Sequence, residues 1–187
     1  MMERSLDKIV MDVPTFVDLQ GFIVGKKYIV KEFAALEKGT IVSHYIFTSP
    51  APWTSLTKSE RSCVSWLTAY HHGLRWKNGA IPYSAMRRLV TWTILGAKTD
   101  NDAPIVVYVK GPEKRNWLLN MLWDDQRERV HIETMDSVYT HMEPLHIISA
   151  ADTMRCAKHD KNCSLQNVMK LYNWWSQRQI ELRECKT

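Results

Sequence analysis

Thr15-Phe-Val-Asp-Leu-Gln-Gly-Phe-Ile-Val-Gly-Lys-Lys-Tyr-Ile-Val-Lys-Glu-Phe-Ala-Ala-Leu-Glu-Lys-Gly-Thr-Ile-Val-Ser-His-Tyr-Ile-Phe47 is the stretch on which the fold turns. Thr15 to Val24 is rich in β-branched and aromatic residues, which fit a pleated, half-buried surface. Gly25-Lys26-Lys27 is a turn signal, and Tyr28 to Leu36 reads as a second strand. After Lys38-Gly39, Thr40 to Phe47 makes a third, which Ser49-Pro50-Ala51-Pro52 ends because proline cannot donate to a ladder. The chain therefore opens on an antiparallel meander of three strands.

Outward from this meander the period changes. Thr57-Lys58-Ser59-Glu60 has the form of a helix start, followed by Val64, Trp66, Leu67 and Tyr70 as inward residues. Ser84 to Leu95 is a second helix, with Met86, Leu89, Val90 and Ile94 inward. Pro104 to Val109 is an almost continuous apolar run, expected to be a strand buried on both faces. Lys110-Gly-Pro-Glu-Lys114 turns it into a helix through Trp117, Leu118, Met121 and Leu122. Val130 to Glu133 gives a further strand, and Ser164 to about Glu184 a closing helix with Leu165, Val168, Met169, Tyr172, Trp175 and Ile180 on one stripe. The fold class is α/β, a mixed sheet flanked by helices.

The chain has 187 residues, 45% of them hydrophobic, enough for a single domain over 1–187 with a full core. Residues 1–12, Thr99 to Ala103 and the residues after Glu184 are the expected flexible points. The opening residues lack the apolar core of a signal peptide, there is no run of about 18 apolar residues, and the four cysteines form no dense framework. These features point to an intracellular protein with no membrane contact. A formal charge of +5 permits a polyanionic partner. Eight tryptophans are a heavy load, and roughly four in five are assigned to packing, Trp66, Trp92, Trp117 and Trp175 among them.

The residues with the most chemistry are Cys156, His159 and Cys163. Two soft sulfurs and an imidazole in Cys-x2-His-x3-Cys spacing supply three of the four ligands that a structural zinc takes, from one loop that runs into a helix. The fourth must come from elsewhere in the chain. Basic residues gather at Lys26, Lys27 and Lys31, at Arg75 and Lys77 around Trp76, at Arg87 and Arg88, and at Lys110, Lys114 and Arg115 beside a helix N-terminus. Cations for the phosphates and a ring for stacking are what a single-strand binder uses, so Arg75, Lys77, Lys110, Lys114 and Arg115 are the candidate nucleic-acid contacts. His71-His72 beside Arg75 is a conceivable acid-base pair.

The order of elements resembles ribonuclease-H-like folds, in particular the DEDDh exonucleases. Those enzymes hold two cations on four carboxylates to stabilise charge on the attacking and leaving oxygens. Where that family has Asp-x-Glu on its first strand, this chain has Asp18-Leu19-Gln20. The strand-to-helix aspartate is replaced within Lys110-Gly-Pro-Glu-Lys114, and the last helix opens on Cys163-Ser-Leu-Gln-Asn167. A lone Asp18 does not hold two divalent cations, so two-metal exonuclease chemistry is expected to be absent and no catalytic residue is assigned.

Three runs resemble the Maelstrom domain more closely: Lys31-Glu32-Phe-Ala-Ala-Leu-Glu-Lys-Gly-Thr-Ile-Val-Ser-His44, Tyr108-Val-Lys-Gly-Pro-Glu-Lys-Arg-Asn-Trp117, and Arg155-Cys-x-x-His-x-x-x-Cys-Ser-Leu165. The stretch between the third strand and Tyr108 departs from the family's pattern. That family is a ribonuclease-H-like fold that has lost its exonuclease carboxylates and carries a Glu-Cys-His-Cys zinc site. The resemblance implies Glu32, Cys156, His159 and Cys163 as ligands of a structural Zn2+, with His44, also on the early strands, competing with Glu32 for the fourth position. It also implies single-stranded RNA binding and protein partners in a small-RNA (piRNA-type) or transposon-silencing pathway, in the nucleus or perinuclear cytoplasm. Alternatives are a protein-protein adaptor in a silencing complex and a metal-independent RNA endonuclease.

Overall fold

A computed structural model describes residues 13–96 and 104–187. The expected flexible segments at 1–12 and at Thr99 to Ala103 lie outside the described residues. Strands β1 (Thr15–Val24), β2 (Lys27–Glu37) and β3 (Ile41–Ile46) are followed by helices α1 (Lys58–Tyr70) and α2 (Met86–Leu95). Strand β4 (Ile105–Val109), helices α3 (Pro112–Met121) and α4 (Asp124–Arg127), strand β5 (Val130–Thr134), and helices α5 (Met135–Val138) and α6 (Ser164–Glu184) complete the chain. The sheet runs β3-β2-β1-β4-β5. The meander is antiparallel, and β1-β4-β5 is parallel.

Side-chain alternation along β1 gives the sheet two faces. Val17 and Leu19 join Val90, Ile94, Leu118 and Leu122 in a core against α2 and α3. Phe16 packs with Val168, Leu171 and Trp175 of α6, and Phe22 with Val64 of α1 and with Trp76. Asp18 and Gln20 lie between these two aromatics and share their face.

A β-bulge sets which residues of β2 meet α6. Gln20 pairs with Glu32 but Gly21 pairs with Val30, leaving Lys31 as the extra residue. The bulge reverses the alternation, so Ile29 lies on the same face as Glu32 while Val30 and Phe33 share the other. Gly21 is required here: a Cβ would come within 2.1 Å of the Ile29 carbonyl oxygen.

The start of α1 follows its sequence. The Thr57 side chain accepts from the Glu60 N–H, and the Glu60 carboxylate accepts from the Thr57 N–H at 2.8 Å, closing a capping box.

Several expectations are corrected. Trp66 and Tyr70 of α1 are 58% and 72% exposed, and Trp92 of α2 is 71% exposed. Only Val64 of α1 is buried, because the helix rests on the Phe22 end of β1 through a narrow stripe. Of the eight tryptophans, Trp76 and Trp175 are buried, Trp53, Trp117 and Trp174 pack half-buried against the cores, and Trp66, Trp92 and Trp123 are exposed, so Trp117 and Trp175 pack as expected and Trp66 and Trp92 do not. Strand β4 is not buried on both faces: Val106 is exposed, because β4 carries α2 and α3 on only one side at that level.

Lys31 is not a surface cation. It is fully buried, and its ammonium donates to the Ser49 hydroxyl at 3.1 Å, to the Trp76 carbonyl at 3.0 Å and to the Asn78 carbonyl. Burial pushes its pKa down to about 8. The bulge turns its side chain inward, where it fastens β2 to the segment after α1.

Candidate metal centre and adjoining groove

Glu32 reaches the centre from the buried face of β2, while Cys156, His159 and Cys163 come from the loop that leads into α6. One candidate ligand atom from each lies within 4.8 Å of all the others, and this group can hold a metal ion. Of the two candidates for the fourth position, Glu32 belongs to the group and His44 stands one layer out. His44 Nε2 donates to Glu32 Oε1 at 2.8 Å.

The loop is shaped for this convergence. Ala157 has a φ of 60°, a left-handed turn that lets the Lys158 N–H point back at Cys156 Sγ at 3.4 Å. The Cys156 N–H donates to Cys163 Sγ at 3.4 Å. Gly73, at φ 79°, passes so close beneath that a Cβ would lie 2.5 Å from Asp160 Oδ1 and 3.4 Å from His159 Cβ. The N-terminus of α6 adds its dipole and the Ser164 N–H, which donates to Glu32 Oε2 at 3.0 Å.

His159 shows why these residues suit a cation. Its Nδ1–H donates to the His72 carbonyl at 2.5 Å, which leaves Nε2 as the lone-pair nitrogen of the neutral ring. That nitrogen lies 3.0 Å from Glu32 Oε1, and Cys163 Sγ lies 3.8 Å from the same oxygen. Three lone-pair atoms, His159 Nε2, Glu32 Oε1 and Cys163 Sγ, thus converge, and a shared proton or a metal ion reconciles them.

Without a metal ion, a proton would do so. Burial would raise the Glu32 carboxyl, but donors on His159, His44 and Ser164 outweigh it and hold it down at about 2. Burial would lower the His159 imidazole, but Cys163, Glu32 and the His72 carbonyl raise it to about 10. Burial would raise the Cys163 thiol, but the His159 ring holds it low, whereas burial pushes Cys156 up to about 11.

Beside this centre lies a groove of about 910 Å³ whose lining includes Gln20, His71, Lys110, Lys114, His146 and Asn167. The buried Asp18 carboxylate accepts from Asn167 at 2.8 Å and from Gln20 at 3.3 Å, and pairs with the Lys114 ammonium. Lys114 thus neutralises the Asp18 carboxylate buried beneath the groove and is not a free phosphate contact. Lys110 pairs with Asp136 at the rim. Arg115 points the other way, with its Nε–H donating to the Ile132 carbonyl at 2.7 Å.

Arg75 is exposed, and Lys77 lines a separate hollow of about 750 Å³ with His44, Arg155 and Cys156. Trp76, between them, is no stacking platform, because it is buried and its indole N–H donates to the Ala51 carbonyl at 2.9 Å. His71 and His72 do not form an acid-base pair. His72 is buried, with Nε2–H donating to the Gly21 carbonyl at 3.0 Å and Nδ1 accepting from the Leu74 N–H at 3.0 Å. Burial lowers its pKa to about 4, and its role is to orient His159 through its own carbonyl.

The Asn167 and Gln20 partners of Asp18 were visible in the sequence only as missing carboxylates. No helix among the described residues is long and apolar enough to cross a membrane. Comparison of the chain with protein-family models and with curated proteins gives no match.

Proposed function

We propose that the chain is a Maelstrom-like, ribonuclease-H-like domain that has exchanged two-metal hydrolysis for binding of single-stranded RNA, braced by one structural zinc ion. The observation that carries this reading is the Lys114 ammonium on Asp18, set in a groove where hydrolysis would need a cation. A fixed lysine charge there compensates the carboxylate and repels divalent cations. The groove remains open, with Lys110, His71 and His146 on its walls to meet phosphates. The strand order β3-β2-β1-β4-β5 supports the fold assignment.

Zinc is the metal that suits two thiolates, an imidazole and one carboxylate, and four protein ligands would leave it no open position. Bonds of about 2.0 to 2.3 Å give a tetrahedron whose edges are about 3.3 to 3.8 Å. The separations of 3.0 and 3.8 Å about Glu32 Oε1 need little adjustment to match. Such an ion would tie β2 to α6 and supply no nucleophile. The resemblance that implies RNA also implies a small-RNA or transposon-silencing setting and residence in the nucleus or perinuclear cytoplasm.

The test is filter binding of a single-stranded RNA over a salt series. Affinity is expected to fall with salt at a slope of about 0.7 per phosphate contact, and Lys110→Glu is expected to weaken it. Absence of binding at low salt would overturn the reading. A second reading, a protein adaptor in a silencing complex, has one observation in its favour. Trp66 and Tyr70 sit exposed one turn apart on α1, ring centroids 5.7 Å apart, as an uncovered aromatic patch.

A further inference from the structure

We infer, building on the proposed binding of single-stranded RNA, that the strand does not end in the groove beside Asp18. It continues over the Tyr28 and Trp117 rings into a second phosphate-binding hollow made by Lys26, Lys27 and Arg87. That second hollow measures about 640 Å³, and Tyr28 and Trp117 line both it and the first groove, so the two depressions share one wall. The wall is a flat aromatic pair, with ring centroids 3.9 Å apart and planes 1° from parallel. Both side chains are half-buried, and the pair lies on the divide between the two depressions.

Charge selects the ligand. Lys26, Lys27 and Arg87 are exposed, none is ion-paired with a described carboxylate, and no acidic residue lines the second hollow. Arg87 is held in place by one Nη2–H donated to the Asn120 carbonyl at 3.0 Å, leaving its other N–H groups free to donate. The first groove has Glu113 as its one acidic lining residue, against Lys110 and Lys114. A hollow of unpaired cations, joined through a stacked aromatic pair to a polar groove whose lysines are held on Asp18 and Asp136, matches an unpaired nucleic-acid strand, whose phosphates alternate with planar bases. An acidic peptide would use the cations and leave the rings without a role.

A second observation points to a ligand at the same wall. The Tyr28 hydroxyl is buried and has no hydrogen-bond partner among the described residues. Such an orphan at the divide between two open hollows is a place for a ligand oxygen or a bridging water. The same closeness explains the neighbouring glycine, since a Cβ on Gly21 would come 3.0 Å from the Tyr28 ring. Glycine at that point of β1 lets the ring lie down against Trp117.

The experiment compares two labelled oligouridylates, of about 5 and about 12 nucleotides, by fluorescence anisotropy on the full chain over a salt series. The longer RNA is expected to bind the wild type more tightly and with the steeper salt dependence. The double variant Lys26→Glu, Lys27→Glu is expected to lose roughly tenfold or more on the longer RNA, with its salt slope reduced by about 1.4, and to bind the shorter one as the wild type does. Trp117→Leu should weaken the longer RNA, and Trp117→Phe should restore most of the loss. Because Lys26 and Lys27 are exposed, that variant keeps its fold, and an unchanged thermal melt verifies it.

Equal loss on both lengths, or no loss on either, would overturn the continued path while leaving RNA binding in the first groove intact. A polyglutamate peptide that binds as tightly as the longer RNA at equal salt would overturn it in favour of a nonspecific anion surface. A wild type that binds neither RNA at low salt would refute the parent reading and this one together.

Discussion

Replacing Glu32 with glutamine keeps the size of the side chain and removes its charge from a fully buried position. Glu32 Oε1 accepts from His44 at 2.8 Å and faces His159 Nε2 at 3.0 Å, while Oε2 accepts from the Ser164 N–H at 3.0 Å. A glutamine amide has one oxygen to serve these sites, so its NH2 must face a donor or the metal. Removing one partner of a buried charged cluster costs about 3 to 5 kcal/mol. For a chain of this length each kcal/mol moves the melting point by about 2 to 4 °C, so Glu32→Gln should melt roughly 6 to 20 °C below the wild type. The assay is thermal unfolding by circular dichroism with and without a chelator, alongside metal content from a colorimetric zinc indicator. Glu32→Gln should hold less than the wild-type metal content and respond less to chelator. An unchanged melt with unchanged metal content would refute the assignment of Glu32 as a ligand.

His72 gives a pH dependence whose sign is fixed by its burial. Its pKa is about 4 in the fold against an ordinary 6.5, so between these values the unfolded chain takes up a proton that the folded chain does not. Stability contributed by neutral His72 is present above pH 6.5 and is lost as pH falls towards 4, by about 3 kcal/mol in all. Urea unfolding at a series of pH values should show this slope, and His72→Gln should flatten it; an equal slope in the variant would contradict the assignment. Gly73→Ala should displace the metal loop, since φ is 79° and the new Cβ would meet Asp160 Oδ1 at 2.5 Å. The expected result is loss of bound metal with the far-ultraviolet spectrum retained, read by indicator titration and circular dichroism. Trp66→Ser with Tyr70→Ser should change stability by less than about 1 kcal/mol because both are exposed, which a thermal melt checks.

The meander, the parallel pair of strands and the long closing helix were legible because each is a local pattern: alternation, a turn glycine, a capping box. The three loop residues of the candidate centre were legible because their spacing is short. Glu32 came only through the family resemblance, since a carboxylate on an apolar strand carries no local sign that a loop more than a hundred residues away will meet it. The bulge at Lys31 explains why that lysine is not a surface cation. Nothing in Val30-Lys31-Glu32 announces an extra residue, yet it buries Lys31 and decides which face Ile29 shares with Glu32. The tryptophans misled for a related reason. Helical periodicity marks a face, but whether that face meets another element is settled by tertiary packing, which leaves Trp66 and Trp92 in solvent. Lys110, Lys114 and Arg115, within six residues of one another, reach three different partners, Asp136, Asp18 and the Ile132 carbonyl.

One cation is proposed to sit among Glu32, Cys156, His159 and Cys163 while Lys114 holds the charge at Asp18. Anomalous X-ray scattering from crystals of the full chain grown with both zinc and magnesium, collected on either side of the zinc edge, tests it most directly. A single zinc peak bonded to those four side chains is expected, with the Lys114 ammonium still on Asp18. An empty centre with its two sulfurs free, or divalent cations seated on Asp18 with Lys114 displaced, would contradict it.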